Sequence, residues 1–489
     1  MYKTHLTKLP VYLIIFTFLL AETSLIINCQ PISFEDQSIN NSLSKNSQSL
    51  PPRMQWDCTY GVNDTDKANS VDQTSDNGYI FTGGTDRNVG NRSDVWLLKT
   101  DDKGNEIWNK TFHNKYGDVG HYVQQTSDDG YIVIGGNSVS TGCYDDVLLI
   151  KTDSKGNEQW TRTFGGPYID KGNYGQQTND GGYAIVGSTV INLTQTDKQI
   201  WVIKTDENGN EQWNRTYGGN RTEYGDSIQQ TNDNGYIILG ITIPQSNECR
   251  IVLIKTDENG LVQWNKTYAQ QGLQYQGTKV QQTNDNGYII MGYVEKWNTL
   301  DHYYKALLIT TNENGNISWV KTYQKYNWDF CRDGQQTNDG GFILAGHTNP
   351  PGEDVNDIWV FKTDSKGNMT WDRTFDVHHN DHACSIQQTN DNGYIIAGDT
   401  YINHQLDENV YVIKLAPEEK PKPSLIAGKI TNLQNHSNYT IFNAKNIFLF
   451  QVNPPRFNYL FKNEEIIVSN NKIGFLNDKI ALGVFISNI

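Results

Sequence analysis

Residues 123–160 read VQQTSDDGYIVIGGNSVSTGCYDDVLLIKTDSKGNEQW, and this stretch holds one copy of a repeat that recurs along most of the chain. Its signature, Gln-Thr-(Ser/Asn)-Asp-x-Gly-(Tyr/Phe), occurs seven times, with the glycine at positions 78, 130, 182, 235, 287, 341 and 393. A spacing of 52 to 54 residues in a chain rich in Gly, Tyr and Trp is typical of the blades of a β-propeller. We therefore predict an all-β, seven-bladed propeller.

Each repeat divides into four strands, which we call A to D. Strand A ends in Gln-Gln-Thr at residues 124–126, and strand B follows a tight turn at residues 131–135. Strand C occupies residues 147–152, and a second turn leads into strand D, which contains Trp160. Asp and Gly supply the left-handed backbone that such turns need, so each blade is predicted to be a four-stranded antiparallel meander.

Strand D predicts how the blades join. Its tryptophan is followed four residues later by Tyr or Phe, so both rings lie on one face of the strand and are expected to pack on the neighbouring blade. The tryptophans assigned to this docking role are Trp56, Trp108, Trp160, Trp213, Trp264, Trp319 and Trp371. The seventh repeat ends at Leu415 without a strand D, whereas Trp56 precedes the first repeat. The N-terminal strand is therefore predicted to complete blade seven and close the ring.

The repeat resembles those of secreted propeller proteins of archaea and bacteria, in which QQTxDGGY is followed by WLIKTDxxGNxxW. It is similar, more distantly, to the quinoprotein-type propeller, whose order of Asp, turn Gly and docking Trp is matched by Asp153, Gly156 and Trp160. The resemblance covers residues 56–415 and implies the propeller fold. It implies no specific activity, because one fold hosts many unrelated chemistries.

The segments that flank the repeats predict export and a second, smaller domain. Two lysines precede the apolar run at residues 11–20, so residues 1–30 are interpreted as a signal peptide or, alternatively, as a retained or lipidated anchor. A polar leader at 31–50, predicted to be disordered, precedes the propeller at 51–415. A Pro-rich linker at 416–423 leads to a small β domain at 424–489. We expect an extracytoplasmic protein, secreted or tethered to the cell surface.

Charge and motifs narrow the range of partners. The net charge is −15 and no basic patch is present, which argues against nucleic acid as a partner. Membrane contact is expected only through the N-terminal segment, if that segment is retained. No motif predicts a cofactor, and the alternative is that the protein binds calcium or a transition metal.

An acidic collar is the first candidate site. It lies on the top face, which carries the B–C and D–A connections, and its residues stand twelve positions before the turn glycines: Asp66, Asp118, Asp170, Glu223, Asp329 and Asp381, with Tyr275 in blade five. The carboxylates could hold a cation at the mouth of the channel. Recurrence in almost every blade instead favours a structural role, in which each carboxylate caps its own turn.

Histidine and cysteine supply two further candidates. Six of the ten histidines fall in top-face loops of blades five to seven: His302, His347, His378, His379, His382 and His404. The candidate metal ligands are His378, Asp381, His382 and His404, with a solvated polar loop as the alternative. Cys331 and Cys384 enter neighbouring inner strands, so a disulfide between them is a further expectation.

The function expected from these observations is binding rather than catalysis. No nucleophile or activated water can be named, so no residue is assigned a catalytic role. The main hypothesis is an extracytoplasmic binding or scaffold propeller whose variable top-face loops contact a protein, a glycan or a small ligand. The alternatives are a metal-assisted enzyme with its site on the top face of blades five to seven, and a structural component of the cell envelope.

Overall fold

The computed structural model describes residues 51–419, apart from ten short gaps, and the backbone of four further strands between residues 430 and 475. The gaps are residues 62–64, 87–92, 114–116, 139–144, 193–194, 220, 245–247, 298–301, 353–354 and 402–407. The described part of the propeller is built only of strands and their connections, arranged as seven four-stranded antiparallel sheets. The predicted seven-bladed propeller is confirmed.

The strands of each blade follow one another from the channel outward. Blades one and two comprise β2 (Asp66–Gln73), β3 (Tyr79–Asp86), β4 (Ser93–Thr100), β5 (Glu106–Phe112), β6 (Asp118–Gln125), β7 (Tyr131–Ser138), β8 (Asp145–Thr152) and β9 (Glu158–Phe164). Blades three and four comprise β10 (Lys171–Gln177), β11 (Tyr183–Asn192), β12 (Gln195–Thr205), β13 (Glu211–Tyr217), β14 (Thr222–Gln230), β15 (Tyr236–Ile243), β16 (Arg250–Thr256) and β17 (Val262–Tyr268).

The remaining blades repeat this order. Blades five and six comprise β18 (Gln274–Gln282), β19 (Tyr288–Trp297), β20 (His302–Thr311), β21 (Ile317–Tyr323), β22 (Asp329–Gln336), β23 (Phe342–Thr348), β24 (Asp357–Thr363) and β25 (Met369–Phe375). Blade seven comprises β26 (Asp381–Gln388), β27 (Tyr394–Tyr401), β28 (Glu408–Leu415) and β1 (Met54–Tyr60). A separate antiparallel sheet comprises β29 (Ile430–His436), β30 (Tyr439–Ala444), β31 (Glu465–Ser469) and β32 (Lys472–Phe475).

The ring is closed by its N-terminal strand, as predicted. Strand β1 pairs antiparallel with β28 as the outer strand of blade seven, with Trp56 opposite Lys414 and Tyr60 opposite Val410. The last blade therefore contains both ends of the propeller chain. This pairing joins distant parts of the sequence and completes the ring. Because each blade packs its apolar faces on its two neighbours, unfolding of one blade also exposes the faces of those neighbours.

Each strand-D tryptophan contacts the first residue of strand B in the following blade. The seven pairs have ring centroids 5.8–6.1 Å apart: Trp56–Tyr79, Trp108–Tyr131, Trp160–Tyr183, Trp213–Tyr236, Trp264–Tyr288, Trp319–Phe342 and Trp371–Tyr394. The tryptophan also covers the next C–D turn. Gly104 in that turn has φ +82°, and a Cβ there would lie 2.9 Å from the Trp56 ring, so the turn accepts only glycine without strain.

The A–B and C–D turns form the bottom face, where polar contacts repeat around the ring. The last residue of each strand A is a glutamine whose Oε1 accepts a turn N–H of the preceding blade at 2.7–3.0 Å. These glutamines are Gln73, Gln125, Gln177, Gln230, Gln282, Gln336 and Gln388. The repeated Gln-Thr signature thus joins neighbouring blades through hydrogen bonds to the backbone.

A buried lysine of strand C also pairs with the aspartate of the A–B turn in six blades. The Nζ–Oδ distances are 2.8–3.0 Å for Lys99–Asp76, Lys151–Asp128, Lys204–Asp180, Lys255–Asp233, Lys362–Asp339 and Lys414–Asp391. Blade five has Thr310 in place of the lysine, and its Oγ1 has no hydrogen-bond partner. We call the pairing of the strand-C lysine with the aspartate of the A–B turn the lysine–aspartate lock.

None of the described residues belongs to a helix long and apolar enough to span a membrane. The predicted signal or anchor segment at 1–30 and the leader at 31–50 lie outside the described residues. Their assignment stays a prediction.

Candidate functional site

The residues of the predicted acidic collar lie where strand D turns into strand A. Asp329 accepts hydrogen bonds from the backbone N–H groups of Lys325 and Tyr326, at 2.7 and 3.0 Å. Asp170 and Glu223 each accept a backbone N–H from four residues earlier. The collar aspartates buried in the structure are Asp66, Asp118, Asp170, Asp329 and Asp381. Asp329, Asp170 and Glu223 thus have the geometry of turn-capping carboxylates.

The candidate metal ligands of blade seven are directed to different partners. Asp381 accepts the backbone N–H of His378 at 3.2 Å, within its own turn. The ring of His382 instead packs on His347, with 4.6 Å between ring centroids. No three His, Cys, Asp or Glu side chains in the described part of the chain converge into a set that could hold a metal ion. His404 lies outside the described residues, so the metal site stays a prediction.

The two cysteines expected to pair are free thiols in the structure. The Sγ of Cys331 lies 3.6 Å from the carbonyl oxygen of Asp333, and the Sγ of Cys384 lies 3.6 Å from Oδ2 of Asp399. Cys331 packs in the apolar core between blades five and six and is the residue just before the bulge of its strand. Cys384 is itself the bulged residue of its strand, one position later in the repeat. The two side chains thus occupy non-equivalent positions of their strands, and the disulfide between them stays a prediction.

The inner strands enclose an axial cavity of about 160 Å³. Lys279 crosses it, with Nζ 3.3 Å from Asp333 Oδ1 and 4.3 Å from the ring centroid of Tyr174. The Tyr174 ring lies 4.1 Å from that of Tyr122, and Asp333 also accepts the Ser385 hydroxyl at 3.1 Å. The lysine charge is therefore compensated within the cavity, and the network joins side chains of five blades across the axis.

Every inner strand contains a β-bulge at the same position. The bulged residues are Asn69, His121, Asn173, Asp226, Thr278, Arg332 and Cys384. Asn69 and Asn173 use the bulge to donate to the carbonyl oxygens of Gly120 and Gly225 in the next blade, both at 2.8 Å. Asp226 has no such donor when ionised, and its Oδ2 has no hydrogen-bond partner. Burial raises the pKa of Asp226 to about 8.

An exposed group of aromatic rings lies on the top face, between blades five and six. Strands β19 and β20 form a hairpin in which Trp297 is opposite His302, with ring centroids 4.4 Å apart. The His302 ring lies 5.1 Å from Trp328 of the connection into blade six, and Trp328 lies 5.4 Å from Tyr304. Trp297 is 68% exposed and Trp328 43%. We call Trp297, His302, Tyr304 and Trp328 the aromatic patch.

A buried carboxylate lies against the aromatic patch. The Tyr304 hydroxyl donates to Oε1 of Glu295 at 2.9 Å, and the same oxygen lies 3.4 Å from His302 Nε2. Burial, together with the hydrogen bond to Glu295, raises the pKa of Tyr304 to about 12. Glu295 therefore contacts the polar atoms of two rings and holds them in place while the tryptophans face outward.

Comparison with known proteins gives similarity to solved structures alone. No family model matches the chain, and no curated protein matches it in sequence. The chain is similar to Sqt1 from Chaetomium thermophilum at 10% identity, over 69% of this chain and 80% of that chain, with a TM-score of 0.40. It is similar to the β-propeller domain of the Trilobed protease from Pyrococcus furiosus at 11% identity, over 73% and 95%, with a TM-score of 0.35. It is similar to the Hadza microbial sialidase Hz136 at 7% identity, over 68% of this chain and 75% of that chain, with a TM-score of 0.38. Similarity at this level carries no argument about activity.

Sequence reasoning placed His302 among the top-face residues but missed the tryptophans beside it. Of the twelve tryptophans, seven are the strand-D residues and three share one position of strand C, namely Trp96, Trp201 and Trp359. Trp297 and Trp328 are the two that fall outside any repeated position. A large aromatic residue that the repeat does not require was the signal present in the sequence.

Proposed function

We propose that this chain is an extracytoplasmic binding protein that holds a glycan on the aromatic patch of blades five and six. The observation that carries the proposal is the pair of exposed indoles, Trp297 and Trp328, on either side of His302. Indole rings are costly to leave in water and have flat faces suited to stacking. The apolar C–H face of a sugar ring fits such a surface.

Polar groups within the patch complement the hydroxyl groups of a sugar. The Tyr304 hydroxyl donates to Glu295 and can still accept a hydrogen bond, and His302, whose Nε2 faces Glu295, has its Nδ1 as a further polar atom. Strands β19 and β20 supply three of the four patch residues, and their pairing fixes the backbone of those residues before a ligand binds, which lowers the entropy lost on binding. The lysine-preceded apolar run at 11–20 supports the extracytoplasmic location.

The proposal is tested with the purified full chain on an array of neutral, carboxylated and sulfated oligosaccharides. We expect wild-type protein to bind at least one glycan class and the double variant Trp297→Ala/Trp328→Ala to lose about tenfold or more in affinity. The conservative variant Trp297→Phe/Trp328→Phe keeps ring faces and should retain most of the binding.

A matched control uses exposed apolar residues at the outer edge of two blades, Ile107 in strand β5 and Leu261 in the turn before strand β17. Ile107 and Leu261 are each 54% exposed, and their replacement by Ala should leave glycan binding unchanged. Equal binding by the wild-type and the Trp→Ala proteins, or no binding to any glycan, would overturn the proposal.

A further inference from the structure

Arg332 is one of the seven bulged residues of the inner strands, and its charged side chain is exposed. It belongs to strand β22, the inner strand of blade six. It lies in the half of that strand nearer the top face, where strand D leads into strand A. The guanidinium forms no ion pair with any described residue, in contrast to Lys279, which is compensated by Asp333. An arginine without an ion-pair partner can bind an anionic group of a ligand.

The charge of Arg332 reaches groups of three blades. Burial is the main cause that lowers the pKa of His382 to about 4, and the Arg332 guanidinium is the second. The same charge contributes to the lowered pKa of His347 and opposes the rise in the pKa of Tyr293. These residues belong to blades seven, six and five. The guanidinium therefore lies close to groups of blades five, six and seven.

Arg332 is linked to the aromatic patch through one ring. Its guanidinium carbon lies 5.7 Å from the ring centroid of Phe330, and Phe330 lies 4.3 Å from Tyr304. Tyr304 in turn lies 5.4 Å from Trp328. A ligand stacked on the patch can thus reach the arginine by extending along the surface of blade six.

We propose that the glycan held by the aromatic patch is acidic, and that a carboxylate on it pairs with Arg332. This inference rests on the proposed function and adds the chemical class of the ligand. Arginine presents a planar fork of N–H donors that matches the two oxygens of a carboxylate, and such charge-assisted pairs are strong. The patch supplies stacking that any sugar can use, so the arginine is the group that selects the charged one.

The same glycan array, followed by titration in solution, tests the assignment with Arg332→Gln. Carboxylated glycans should bind wild-type protein, and Arg332→Gln should weaken that binding about tenfold or more. Affinity for neutral oligosaccharides of matched length should stay the same. The affinity of wild-type protein for the carboxylated glycan should decrease when NaCl is raised from about 50 mM to about 500 mM, and the affinity of Arg332→Gln should decrease less.

Lys171→Gln is the matched control. Lys171 is also an exposed cation on an inner strand, but it belongs to blade three, and its removal should change affinity less than about twofold. If wild-type protein prefers neutral or sulfated glycans, or if Arg332→Gln binds like wild type, the carboxylate assignment is wrong. The proposed function then stands on the Trp→Ala result. If no glycan binds, both proposals fail.

Discussion

On the bottom face the same polar contacts recur from blade to blade, whereas the aromatic patch on the top face of blades five and six has no counterpart in the other described blades. The glutamine contact is made in all seven blades and the lysine–aspartate lock in six. The patch uses residues at positions that the repeat leaves variable. The glutamine contacts join neighbouring blades and the lock joins strands within one blade, whereas contacts made once are the candidates for binding a ligand.

The largest expected effect comes from removing the most buried docking tryptophan. Trp371 is 2% exposed and packs on Tyr394 across the boundary between blades six and seven. Trp371→Ala should lower the free energy of unfolding by about 3–5 kcal/mol, because a large cavity remains next to the closing blade. Urea denaturation followed by tryptophan fluorescence and circular dichroism measures the loss.

The matched change on the top face sharpens this comparison. Trp297 is mostly exposed, and Trp297→Ala should change stability by about 0.5 kcal/mol or less. Similar losses for the two variants would show that the top face contributes to closure as much as the bottom face does.

Asp226 should make stability depend on pH. Its pKa of about 8 in the folded protein exceeds the ordinary value of 3.8, so the folded chain keeps a proton that the unfolded chain releases. Stability is then fully present below about pH 4 and falls as pH rises from about 4 to about 8. Asp226→Asn keeps a donor for the next blade without titrating, and we expect it to be more stable than wild type by about 1–3 kcal/mol at about pH 9.

Unfolding of both proteins at about pH 5, 7 and 9 measures this difference. The gain from Asp226→Asn should shrink steadily toward the acidic end of that range. A gain that is constant with pH, or a loss at the alkaline end, would contradict a buried acid at the bulge of blade four.

The smaller of the two expected gains in stability comes from completing the lock in blade five. Thr310 lies where the other six blades have lysine, and Asp285 already occupies the aspartate position of the turn. Thr310→Lys should raise the free energy of unfolding by about 1 kcal/mol, since the new ammonium gains a carboxylate and a backbone carbonyl as partners. Thermal unfolding of the variant measures the gain.

The reverse exchange in blade two provides the control. Lys151 is buried and pairs with Asp128 at 2.8 Å, so Lys151→Thr should lower stability by about 1–3 kcal/mol. If neither substitution changes the midpoint of thermal unfolding, the lock contributes nothing measurable to stability, and its recurrence requires another explanation.

The sequence alone determined the number of blades, their strand order and the closure by Trp56 and its strand, because these follow from local periodicity repeated seven times. It also located the turns, since five of the seven A–B turns place Asn or Asp in the left-handed region, as at Asn77 and Asp129. Local rules suffice for these features, because each follows either from the residues of one repeat or from the number and order of the repeats.

Only the tertiary structure decided which variable residues meet. Trp297 and Trp328 are 31 positions apart in the sequence and are brought together by the packing of one blade on the next. The bulges that hold Asp226 and Arg332 likewise depend on the pairing between strands A and B. Positions outside the repeated pattern carry no periodic signal, so their neighbours are set by the ring geometry rather than by the sequence around them.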